Sequence, residues 1–228
     1  MNDQKLTTIG LVMPKAFPVE PYESVHKRLV KKKDDYLKSW NQYAGAWNAV
    51  GYRFLSCTNH NRSFTESIQR AGNAPPPSER YIQERNLFGF FVSGLSTIES
   101  LLYGLYAIAS IIMAEEFPIA TVKDLKSINP EKTKNKFKAH FTNQSITDFL
   151  KRLIDDRNHK DWRDIRNILA HRASPGRHFS IGGNNIGKAL WINGIPINEK
   201  TTSLRFKWLA DAIINILNEI DIFTSNKF

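Results

Sequence analysis

Residues 87–113, LFGFFVSGLSTIESLLYGLYAIASIIM, are apolar for roughly seven helical turns, and any fold of this chain has to enclose that stretch. Glu99 sits near its middle, with Ser93, Ser96, Thr97 and Ser100 around it. A charge at bilayer depth costs about 2.5–3.5 kcal/mol. The uninterrupted run LLYGLYAIASIIM is also only 13 residues, short of the roughly 20 that a membrane span requires. The stretch therefore reads as a buried core helix, beginning at Ser78 or Glu79, ending at Met113 and apolar nearly all round.

The rest of the chain supplies material to cover it. Residues 1–22 hold three prolines before Tyr22 and no sustained period, so they read as an irregular or partly ordered arm. From Glu23 to Leu55 the pattern is helical. Tyr36, Trp40, Tyr43, Trp47 and Val50 fall on one face, with Lys31, Lys32, Lys33 and Asp34 expected opposite. Residues 57–80 are polar and contain Pro75-Pro76-Pro77, which predicts a long loop. Residues 117–142 are basic, and Asn129-Pro130 is placed to cap a helix. Helical spacing returns at 144–155, 159–172 and 203–223. Between the last two, Gly182-Gly183 and Asn193-Gly194 punctuate apolar runs and predict a small β insertion at about 178–198. One domain over 23–228 is expected, an all-α helical bundle with two long antiparallel helices and a β-hairpin before the last helix.

Charge and cysteine usage narrow the chemistry. Lys and Arg number 32 against 22 Asp and Glu, a net +10, which makes nucleic acid the leading partner class. The single cysteine, Cys57, excludes an intramolecular disulfide and a multi-cysteine zinc site, and Cys57-x-x-His60 lacks two further ligands. No signal-peptide pattern opens the sequence, so a reducing cytoplasm and no membrane are expected. No paired-carboxylate, phosphate-loop or nucleophile-elbow motif is present, and neither metal nor cofactor is expected.

The most informative segment is Asp161-Trp-Arg-Asp-Ile-Arg-Asn-Ile-Leu-Ala-His-Arg172. Trp162, Ile165, Ile168 and Leu169 give it an apolar face. Arg163 and Arg166 lie one turn apart, as do Asn167 and His171. Arg166-Asn167-Ile168-Leu169-Ala170-His171 resembles the Arg-x4–6-His motif of the HEPN superfamily, whose members often carry a polar residue after the arginine. The same spacing recurs at Arg53–His60, Arg152–His159 and Arg172–His178, but only the pair at 166 and 171 combines Asn167, a packed helical face and a following terminal helix.

The resemblance implies a HEPN-like bundle, a homodimer, and metal-independent endoribonuclease chemistry of a toxin or defence effector. His171 would then serve as general base or acid at a ribose 2′-hydroxyl. Arg166 would stabilise charge on the phosphate, and Asn167 would orient one or the other. Lys160, Arg163, Arg172 and Arg177 would attract the phosphate backbone. On an ideal helix Arg166 and His171 lie roughly 140° apart, so either the helix ends near His171 or two subunits combine their groups. Glu99 would be too costly to bury unpaired, and Arg166 or Arg163 is its expected partner. Two other readings remain from the residues. One is a non-catalytic HEPN-like domain that binds RNA, a nucleotide or a protein such as an antitoxin or regulator. The other is a basic helical scaffold.

Overall fold

The structure is a computed structural model that describes residues 5–7, 10–171, 176–179, 189–191 and 194–228; the side chains of Lys5, His171 and Phe179 lie outside the described part. Its spine is a pair of antiparallel helices, α2 (Leu37–Ala71) and α3 (Pro77–Ile112), each about 52–54 Å long. Polar side chains pair along the whole seam. Ser39 meets Ser110, Tyr103 donates to Gln42, Ser56 meets Ser93, His60 meets Asn86, and Ser67 donates to Glu79.

α3 is the core helix expected from its sequence. It touches α2 along its length and also contacts α5 (Pro130–His140), α7 (Arg157–His171) and α8 (Lys200–Ser225). By length and composition it could cross a membrane, but 78% of its most apolar window is buried inside the protein. Two glycines let its neighbours approach. A Cβ at Gly94 would lie 1.8 Å from the Trp162 ring of α7, and one at Gly89 would lie 2.3 Å from the His60 ring of α2. Trp162 fills the Gly94 notch and packs edge-on against Phe90 and Phe91, at 5.1 and 5.8 Å between centroids.

Three expectations are corrected. The stretch 57–80 is not a long loop: α2 continues to Ala71, because Cys57, Phe64 and Ile68 keep one stripe buried while the polar residues face outward. The break is residues 72–76, where Gly72 adopts φ +67° and its N–H bonds the Ile68 carbonyl at 2.8 Å. Secondly, Lys31–Asp35 do not form an outer helical face. α1 (Val19–Val30) ends there, since five consecutive charged residues leave no apolar position to bury, and the chain turns before α2. Thirdly, the described residues within 1–22 hold more order than their sequence pattern shows. β1 (Lys5–Leu6) pairs antiparallel with β2 (Val12–Met13), and Met13 and Phe17 belong to the core. Tyr22 stacks on Trp47 with 5.2 Å between centroids, its hydroxyl bonds the Trp47 carbonyl, and the Trp47 indole N–H bonds the Tyr22 carbonyl.

The remaining elements follow the pattern. α4 (Val122–Ser127) opens on a Thr121–Asp124 capping box. Asn129 accepts from the Lys132 N–H at 2.9 Å and Pro130 is the first residue of α5. α6 (Ser145–Asp155) buries Ile146, Leu150, Leu153 and Ile154. The insertion contains β3 (Arg177–Phe179) paired antiparallel with β4 (Ala189–Trp191). Gly182, Gly183 and Asn193 lie outside the described residues, whereas Gly194 has φ +79° and its N–H bonds the Trp191 carbonyl. The protein is an all-α helical bundle with two small antiparallel sheets.

Two expected outcomes follow from the packing. Gly94→Ala drives a methyl group into the Trp162 ring and should cost about 1–3 kcal/mol, read as a lowered urea midpoint. Burial pushes His159 below the ordinary 6.5, with Arg163 adding to the effect, and burial pushes His26 the same way against the opposing charge of Glu23. The unfolded chain thus takes up protons near pH 6.5 that the folded chain refuses. Stability is complete above that pH and falls as the pH drops below it. Urea unfolding at about pH 8 and pH 5 checks this, and His159→Leu should reduce the difference.

Candidate functional site

α7 carries the motif, and Trp162 sets its rotation. With Trp162 in the Gly94 notch, Arg166, one turn further on, faces the same neighbouring helix. There its Nη2 donates to Glu99 Oε1 at 2.5 Å. The carboxylate in the apolar helix therefore has the arginine expected of it. Both side chains are partly covered, Arg166 at 21% exposure and Glu99 at 34%. Burial raises the Glu99 pKa, while Arg166 and then Arg53 pull it back. Arg53 comes from α2 and is tied to α3 through the Ser96 carbonyl at 3.2 Å and the Ser100 hydroxyl. Glu99 thus contacts the Arg166 guanidinium directly and feels the charge of Arg53 from a second helix.

Glu99 also lines an open cleft of about 480 Å³. One side is the α2 surface from Asn41 to Arg53, the second is Glu99, Ser100 and Tyr103 of α3, and the third is Ile128 to Pro130 at the start of α5. Nothing in the sequence marked this cleft, because its floor is the small residues Gly45, Ala46 and Ala49.

The other motif residues lie elsewhere on α7. Lys160 and Arg163 are exposed, and Arg163 lies 3.5 Å from Asp164. Asn167 is half-buried and has no side-chain hydrogen bond among the described residues. By helical spacing Lys160, Asn167 and position 171 form one stripe, roughly 100–140° around the helix from Arg166, with Arg163 between the two. α7 ends at His171, whose side chain lies outside the described part, and Arg172 lies outside the described residues. The structure therefore joins Arg166 to Glu99.

Arg177 is a correction. It is not a phosphate-attracting surface arginine: its side chain is 1% exposed. Its Nε donates to Glu84 at 2.5 Å and its Nη1 to Gln83 Oε1 at 2.7 Å, while the Trp191 indole also reaches Glu84. It fastens the β insertion to α3, and a partner 93 residues away is invisible to local pattern. The rival motif pairs fare differently from expectation too. Arg53 and His60 both lie within α2, rather than across a helix end and a loop. In the pair Arg152–His159, the histidine is 2% exposed, too buried to meet a substrate. Cys57 is buried with its thiol directed to the Phe90 carbonyl, and His60 bonds Asn86, so the two do not converge on a metal.

The Glu99–Arg166 pair is half-buried, so its coupling should lie between that of exposed and fully buried pairs. A double-mutant cycle with Glu99→Gln and Arg166→Gln is expected to give about 1–2 kcal/mol in urea unfolding. Compared with protein-family models, curated proteins and solved structures, the chain matches none.

Proposed function

We propose that this chain is a metal-independent endoribonuclease of HEPN type, acting in the cytoplasm as a toxin or defence effector. The observation that carries the reading is the Glu99–Arg166 pair. An arginine in an Arg-x4–6-His sequence is held in one orientation by a carboxylate from the central helix, at the edge of an open cleft. A fixed guanidinium is what stabilisation of a phosphorane-like transition state needs, since its orientation is set before reaction. His171 would remove the ribose 2′-hydroxyl proton or protonate the leaving 5′-oxygen, leaving a 2′,3′-cyclic phosphate. Asn167 would orient the histidine or the phosphate, and Lys160, Arg163 and Arg172 would draw in the strand.

On α7, position 171 lies roughly 140° around an ideal helix from Arg166. One straight helix cannot aim both at one phosphate, which favours a homodimer whose subunits share two composite sites. Glu99 neutralises much of the Arg166 charge, and this favours a second reading, a non-catalytic domain of the same type that binds RNA, a nucleotide, or a protein antitoxin or regulator.

Purified protein incubated with a mixed RNA pool in excess EDTA is expected to leave cyclic-phosphate ends. His171→Ala should slow cleavage by about 10²–10⁴-fold, and the same DNA sequences should remain intact. Salt-sensitive RNA retention without cleavage by wild type would move the assignment to the binder. Cleavage undiminished in His171→Ala would remove His171 from the chemistry.

A further inference from the structure

The cleft beside Glu99 has a donor and acceptor pattern that selects among ligands. Glu99 Oε1 is engaged by Arg166, whereas Oε2 has no partner among the described residues. On the α2 side, the Tyr103 hydroxyl donates to Gln42 Oε1 at 2.7 Å, which occupies the amide oxygen and leaves the Gln42 NH2 as the available end. The neighbouring Asn41 amide is exposed and has no partner among the described residues, and Arg53 stands at the rim. Gly45, Ala46 and Ala49 form a low floor between these groups, and the cleft volume of about 480 Å³ falls within the usual range for small-ligand pockets, roughly 300–1,000 Å³. The cleft thus presents a carboxylate acceptor on one side and amide or guanidinium donors on the other, across a shelf with few projecting side chains.

The geometry points to this cleft as a subsite for a guanine base of single-stranded RNA. A guanine offers N1–H and N2–H2 donors on one edge, which a carboxylate accepts, and O6 and N7 acceptors on another, which the Gln42 and Asn41 amides and Arg53 can meet. Adenine places the N1 lone pair where guanine has N1–H, and that lone pair opposes a carboxylate. Uracil and cytosine each offer that carboxylate at most one ring or exocyclic donor edge beside an acceptor. Single-stranded bases are the usual targets of sequence-specific RNA contacts, since their Watson–Crick edges are unpaired. Glu99 both lines the cleft and holds Arg166, so a base seated here would meet the same carboxylate that fixes the motif arginine. This deepens the ribonuclease reading and rests on it for the source of the base, but base selection is measured without any cleavage.

The test is equilibrium binding to the full chain by calorimetry, with GMP, AMP, CMP and UMP, and with single-stranded 2′-O-methyl oligoribonucleotides that contain one guanine or none. GMP is expected to bind roughly tenfold or more tightly than the other three, and the guanine-containing strand more tightly still. Gly45→Leu is the control that fills the cleft. A Cβ at Gly45 meets nothing within 4 Å, and the change replaces a helical glycine with a good helix former, so the fold should persist by circular dichroism while GMP binding falls below detection. Glu99→Gln should remove the preference for guanine over adenine. Equal affinity for all four nucleotides, no binding, or undiminished binding by folded Gly45→Leu would overturn the subsite. GMP binding with no gain for the guanine-containing strand would overturn RNA as its source. Absence of cleavage with guanine-selective binding intact would defeat the ribonuclease reading alone.

Discussion

A 36-residue helix that is apolar on nearly every side has to be sheathed, and the fold is organised around that requirement. α2 covers one side of α3 over its full length, and α5, α7 and α8 close the others. Burial alone is non-directional and would not fix how these helices are rotated. Rotation comes from shape and from the few polar groups that must find partners. The Gly94 notch accepts one indole, the serines and amides of the α2–α3 seam pair in one register, and Glu99 meets the Arg166 guanidinium.

Glu99 is the place where the structural and chemical arguments meet. A carboxylate inside an apolar helix carries a desolvation cost, which pushes its pKa up, and that cost is offset by contact with Arg166 of α7 and by the charge of Arg53 on α2. The same ion pair that holds α7 against α3 therefore fixes the motif arginine. It also leaves one carboxylate oxygen over the cleft that opens towards α5.

Periodicity and capping carried much of this fold in the sequence. α3, α6, α7 and α8 begin and end within a few residues of their apolar periods, Asn129-Pro130 caps a helix, and an arginine meets Glu99. What local pattern could not reveal has a common physical origin. Residues 57–71 look like a loop because their buried stripe is only Cys57, Phe64, Ser67 and Ile68 among polar neighbours, and α3 supplies the surface that makes the stripe stable. Met13 and Phe17 look unstructured because their partners are distant in sequence. Arg177 looks like a phosphate ligand until Glu84 and Gln83 are brought to it. The cleft is silent because glycine and alanine define it by the volume they leave unfilled.

The order in which these parts leave the ribosome adds a further consequence. α3 is complete at Ile112, yet α7 and α8, which cover much of it, finish only at His171 and Ser225. At about 5–20 residues per second, the most apolar surface of the chain waits on the order of ten seconds for its final covers. Until then α2 is its one long neighbour, so the polar seam between them, from Ser39–Ser110 to Ser67–Glu79, doubles as the clamp of a nascent hairpin. A chain halted before residue 200 lacks α8, and the part of α3 that this helix covers then faces water.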